Sequence, residues 1–186
     1  MQGETRKAIG VVEWRSIAVA LEATDAMVKE SEVEILQTQT HCAGKYVTII
    51  GGDVASVNSS VAAGCEIGKY SLVDSIVIPN VHSAIFPALS ATTEVKEIIS
   101  LGTIECFSVA GAIMAADAAV KSADVQLIEI RTARGLGGKA FVTMTGQVDA
   151  VRTAVEAGRR LAQDKAILVG VSVIPNLSDQ MKPYLL

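Results

Sequence analysis

The sequence predicts an α+β fold built twice in tandem, and three observations predict it. The first is an internal repeat. "IGVVEWRSIAVALEATDAMVKESEVEILQTQTH" (9 to 41) overlays "LGTIECFSVAGAIMAADAAVKSADVQLIEIRTA" (101 to 133) at an offset of 92, with 12 identities in 33 positions. These include Gly10/Gly102, Glu13/Glu105, Ser16/Ser108, Asp25/Asp117 and Lys29/Lys121. Past a two-residue insertion, "GKYVTIIGGDVASVNSSVAAG" (44 to 64) overlays "GKAFVTMTGQVDAVRTAVEAG" (138 to 158) with 8 identities in 21, and "VIPN" recurs at 77 to 80 and 173 to 176. Self-similarity at a fixed period marks one structural unit used more than once. The second observation is that short β-rich runs alternate with Ala-rich stretches inside each copy. The third is composition. Half of the 186 residues are hydrophobic but only 4% are aromatic, so the core must be Val, Ile, Leu and Ala, small enough for helices packed closely on a sheet.

Each element follows in order. Residues 8 to 14 are β-rich, and Ser16 stands as N-cap before a helix to about 30 that avoids Gly and Pro. A second apolar run, 33 to 39, leads through a turn at 41 to 44 into a third, 45 to 50. Asp53, after two glycines, is an N-cap for a helix to about 67, and "SLVDSIVIP" is a fourth strand ended by Pro79. The order is β-α-β-β-α-β with a short helical tail. Both helices follow strands of one small sheet, so they are expected on one face, with the other partly exposed and available for assembly.

Charge and cysteine usage exclude several classes. The net charge is -4 with no dense Lys/Arg run, which argues against nucleic acid or an anionic membrane as partner. Glu13 and Arg15 interrupt the first apolar stretch, unlike a signal-peptide core, and no window approaches 18 uncharged apolar residues. Three cysteines without CxxC spacing fit a reducing cytosol, so the chain reads as cytoplasmic. Cys65 and Cys106 read as core fillers, Asp53 as a cap, Glu13 as a structural carboxylate and His82 as an edge contact. "GLGGK" at 135 to 139 joins two strands and lacks the phosphate-loop spacing, and no GxSxG motif accompanies the two histidines. No catalytic set is visible, and the chain reads as a non-enzyme.

The stretches "IGVVEWRSIAVALEATDAMVKESEVEI", "GKYVTIIGGDVASV" and "IVIPNVH" resemble the bacterial microcompartment shell domain, and their recurrence resembles its tandem-domain members. More narrowly, "TQTHCAGKY" and "VDSIVIPNVH" are similar to the T-type shell proteins of the propanediol-utilisation microcompartment. The resemblance implies two shell domains, 1–90 and 98–186, each a ferredoxin-like four-stranded antiparallel sheet with helices on one face. It implies a homotrimeric pseudohexamer in a cytoplasmic shell, beside hexameric and trimeric shell proteins and enclosed redox enzymes. The loops lining its axis would comprise His41, Cys42, Ala43 and Gly44 from the first domain and Gly135, Leu136, Gly137 and Gly138 from the second. Cys42 from three subunits would hold a [4Fe-4S] cluster for electron transfer or cluster delivery. Lys29 and Lys121 match the family's tile-edge lysine, whereas Asn80 and Asn176 stand where many members carry arginine.

Chemistry agrees with that expectation. A cubane needs several thiolates, which one loop cysteine cannot supply and a threefold axis can. The second copy's loop, "RTARGLGGK", has no cysteine, and its glycines would allow close backbone approach. Two departures stand out: Ala43 replaces a proline, and His41 replaces an apolar residue, leaving it open as a ligand, a proton-linked neighbour or an ordinary loop residue. Two rivals remain. Cys42 is incidental and the axis is a pore for polar metabolites, or the chain is a ferredoxin-like redox or ligand-binding protein unrelated to shells.

Overall fold

The computed structural model describes residues 7–133 and 135–185. Its elements are β1 (Ala8–Trp14), α1 (Ile17–Glu30), β2 (Glu34–His41), β3 (Lys45–Gly52), α2 (Val54–Gly68), β4 (Leu72–Pro79), α3 (Ile85–Leu89), β5 (Ser100–Cys106), α4 (Val109–Ser122), β6 (Gln126–Arg131), β7 (Ala140–Gly146), α5 (Val148–Asp164) and β8 (Leu168–Ile174). Short 3₁₀ turns span Cys42–Gly44 and Lys182–Tyr184. Two antiparallel sheets result, ordered β2-β3-β1-β4 and β6-β7-β5-β8. The duplication persists in register: the irregularity between Ile35 and Gln37 recurs between Leu127 and Glu129, and that between Glu13 and Trp14 recurs between Glu105 and Cys106.

The helices begin where capping chemistry places them. Ser16 Oγ accepts from Val19 N (3.4 Å) and Ser108 Oγ from Gly111 N (3.0 Å). The Asp53 carboxylate accepts from the backbone N–H of Ala55 (2.9 Å) and Ser56 (3.1 Å). In the first unit, β1 turns Ala8, Val12 and Trp14 toward the helices, into a core with Met27, Ile50 and Val57. Each fully buried large side chain there contributes about 1.5–3 kcal/mol. Gly10 and Gly102 hold the helices close: a Cβ would lie 2.6 Å from Val61 Cγ2 or 2.7 Å from Val151 Cγ1. The identity at this repeated position therefore has a packing cause.

The face opposite the helices is partly exposed, as expected, at Asp74, Gln126 and Ser172 on the outer strands, but its centre is covered. Ile9, Val11 and Ile49, which point away from the helices, are fully buried. In the second unit, Val95, Ile98, Leu177 and Leu185 pack with Leu101, Ile128 and Ile174 on that face. These segments lack strand or helix periodicity, so the hydropathy pattern does not place them. The chain divides into two compact units between Val81 and His82, whereas the sequence put the first domain at 1–90 and the second at 98–186. The stretch 82–98 goes with the second unit because α3 packs on β6 and α4, and His82 N–H donates to Asp117 Oδ1 at 2.7 Å.

Candidate functional site

The loop after β2 carries the residues singled out by the sequence. β2 pairs with β3 as far as His41↔Lys45, two residues beyond the predicted strand, and the turn is confined to Cys42–Gly44. Alternation along a strand then separates neighbours. His41 ends the extended segment and is buried, its Nε2 3.3 Å from Gln39 Nε2. Cys42 opens the turn and is half-buried. The backbone of Ala43 lies in the turn, and its side chain falls outside the described residues. Gly44 takes φ +69°, and a Cβ there would meet no atom within 4 Å, so backbone conformation rather than crowding calls for glycine.

An ion pair anchors the base of this turn. Lys45 Nζ lies 3.0 Å from Glu13 Oε2 on the neighbouring strand, the carboxylate being almost fully buried. A hydroxyl chain stiffens the hairpin on its helix side: Thr24 Oγ1 is 2.7 Å from Thr48 Oγ1, which is 3.0 Å from Thr38 Oγ1, which donates to Tyr46 Oη at 3.2 Å. Such networks fix a loop's base and leave its tip to vary.

The loop between β6 and β7 is built differently. Gly135, Gly137 and Gly138 all have positive φ (+73°, +63° and +90°), and none would bring a Cβ within 4 Å of another atom. Within one chain these glycines therefore serve the turn. Leu136 is half-buried, and its carbonyl accepts from Lys139 N at 3.2 Å. Arg134 lies outside the described residues. Lys139 pairs with Glu105 at 2.6 Å, repeating the Lys45–Glu13 bridge.

The remaining residues divide by role. Lys29 and Lys121 end α1 and α4, where cations suit the helix dipole, and pair with Asp25 (2.5 Å) and Asp117 (2.6 Å) one turn earlier. Asn80 and Asn176 are exposed just beyond β4 and β8, and Asn80 adopts φ +51°, a conformation asparagine tolerates well. His82 Nδ1 accepts from Ala84 N at 3.2 Å, a local turn contact. Cys65 packs against the first core, and Cys106 is buried in β5. Burial, reinforced by the Glu105 carboxylate, pushes the Cys106 thiol up to about 11, so it is inert. Among the described residues no three His, Cys, Asp or Glu side chains converge on a metal position.

Comparison with known proteins identifies this duplicated architecture. The BMC domain pattern matches residues 8–81 and again 100–177. The chain belongs to the BMC domain family. This tandem BMC chain is 41% identical over 175 residues to the bacterial microcompartment shell protein PduT of Citrobacter freundii, covering 94% of this chain and 95% of that protein. It superposes on the crystal structure of a microcompartments protein from Desulfitobacterium hafniense DCB with a TM-score of 0.93 at 46% identity, over 96% and 99% of the two chains. The fused permuted hexameric shell protein MSM0275 of the RMM microcompartment shares the fold, with a TM-score of 0.61 at 19% identity over 85% and 82% of the chains. The BMC protein is thus a microcompartment shell component, and a ferredoxin-like protein unrelated to shells is set aside. None of its described helices is long and apolar enough to cross a membrane.

Proposed function

We propose that three copies of the chain close into a pseudohexameric shell tile in which three Cys42 thiolates share a [4Fe-4S] cluster on the axis. The observation that carries this reading is the placement of Cys42. It is a half-exposed thiol in the turn of a braced hairpin, with no metal-binding group of three among the described residues of its own chain. The equivalent loop of the second domain offers glycine instead, so a ring would present three thiols, not six. The donor set fits the group: three thiolates are one short of a fully protein-ligated cubane, leaving one iron for an exogenous ligand. When bound, the cluster supplies one-electron exchange. The chain's own part is to hold three thiols in register and limit their motion through the Lys45–Glu13 bridge beneath each turn. The tile is structural rather than enzymatic, borders other hexameric and trimeric shell proteins, and passes electrons or clusters to redox enzymes inside.

Anaerobic reconstitution with iron and sulfide tests the cluster. Wild type should bind about four irons per three chains with visible thiolate-to-iron absorption, and Cys42→Ser should lose both. Equal iron, sulfide and absorption in the two proteins would sink the reading in favour of a metabolite pore.

A further inference from the structure

We propose that the second unit binds a short-chain aliphatic monocarboxylate in a cleft on the face of its sheet opposite the helices. The site goes beyond the shell role and the axial cluster, for it lies within one unit and involves neither Cys42 nor a second copy.

The cleft has a volume of about 420 Å³, at the small end of ligand sites. Three segments enclose it: the stretch 91–95 after α3, the strand β6, and residues 184–185. Hydrogen bonds fasten the first of these, with Thr92 N–H donating to Pro87 O at 2.9 Å and Gln126 Nε2 to Glu94 O at 2.7 Å. The apolar part of the cleft is Val95, Ile128 and Leu185, which belong to the cluster around Leu101. It suits an aliphatic stem.

A register irregularity supplies the polar part. Strict alternation would put Ile128 and Glu129 on opposite faces of the sheet. The shift between Leu127 and Glu129 leaves Ile128 outside the register and turns Ile128, Glu129 and Arg131 all toward the cleft. Arg131 Nε donates to Glu129 Oε2 at 3.0 Å, and Nη2 lies 2.9 Å from the same oxygen. The guanidinium also lies over Phe141, 5.5 Å from the ring centroid. Held on two sides, it is fixed in place, and the fork formed by Nη1 and Nη2 is left for a planar oxyanion.

Charge selects among oxyanions. The Glu129 side chain lines the cleft beside Arg131, so the pair is close to neutral, and a dianion such as a phosphate ester would meet a carboxylate as well as a cation. A single carboxylate avoids that repulsion. Thr93, in the cleft wall, has Oγ1 sealed from water without a hydrogen-bond partner among the described residues. Rotation about χ1 offers that hydroxyl to the second carboxylate oxygen. The first copy is the internal comparison. At the positions of Ile128, Glu129 and Arg131 it carries Leu36, Gln37 and Gln39, which keeps the apolar residue and lacks the cation.

Isothermal titration calorimetry of the full chain with sodium hexanoate, sodium butyrate and hexan-1-ol tests the site. Hexanoate should saturate one site per chain and bind about tenfold tighter than butyrate, through two further buried methylenes. Hexan-1-ol should bind at least about tenfold weaker than hexanoate, since it offers no charge to the guanidinium. Arg131→Met should weaken hexanoate by a similar factor, about tenfold or more, and leave hexan-1-ol unchanged. Arg152→Met, which removes an exposed cation from α5 on the helix side of the sheet, should behave as wild type. Amide shifts of the wild type saturated with hexanoate provide a readout independent of any variant, and they should map to Thr93, Ile128 and Arg131. Hexanoate that does not saturate, shifts that map elsewhere, or equal affinity in wild type and Arg131→Met would overturn the site. Equal binding of hexanoate and butyrate, or of hexanoate and hexan-1-ol, would overturn the ligand class.

Discussion

Lys45 Nζ lies 3.0 Å from Glu13 Oε2 beneath the Cys42 turn, and Lys139 stands in the same relation to Glu105 in the second domain, at 2.6 Å. The two bridges share sequence positions but not surroundings. The Glu13 side chain is 4% exposed, and that of Glu105 is 34% exposed. Removing a partner from a buried pair strands a charge, whereas an exposed pair is screened by water.

Lys45→Met should therefore cost about 2–4 kcal/mol, since it leaves the Glu13 carboxylate uncompensated. Lys139→Met should cost under about 1 kcal/mol. Denaturant unfolding of both variants checks the difference, and equal losses would contradict the assignment of the first pair as structural.

Gly158→Ala should destabilise the second domain by about 1–3 kcal/mol through overpacking. A Cβ there would sit 2.4 Å from Ile104 Cδ1 and 2.7 Å from the Ala115 carbonyl, and backbone cannot yield as a side chain can. At the matching position of the first domain the obstacle is the flexible Met27 side chain, at 2.6 Å, so Gly64→Ala should cost less. Thermal melts of the two variants rank them.

Acid should weaken the protein through Glu156. Hydrogen bonds from Arg159 and then Arg160 on α5 hold its carboxyl down at about 2, against an ordinary value of 4.5. A carboxyl lowered in the folded state stabilises above its unfolded value and loses that contribution as pH falls toward the folded one. Melting temperature should therefore drop between about pH 4.5 and 2, and Glu156→Gln should drop less over the same window. Parallel curves would show that the α5 pairs add nothing.

The duplication, the order of elements and the caps Ser16, Ser108 and Asp53 were legible because each is a local pattern: identity at a fixed offset, apolar period, a short polar side chain before a helix. What the sequence did not carry depends on the chain meeting itself at a distance. Glu13 and Lys45 are partners only through the register of β1 against β3. The side His41 takes follows from β2 running two residues further than its apolar run. Ile17 and Val109 have the same hydropathy, and nothing local says that one is open while the other is sealed. Cys42 was identified from its resemblance and position, since a single thiol has no pattern of its own.

The most direct test of the account is a crystal structure of the anaerobically reconstituted protein with anomalous data at the iron edge. The account predicts one iron peak on a threefold axis, ligated by the Cys42 sulfurs of three chains. An axis without iron, lined by Cys42 sulfurs too far apart to share a cluster, would contradict it.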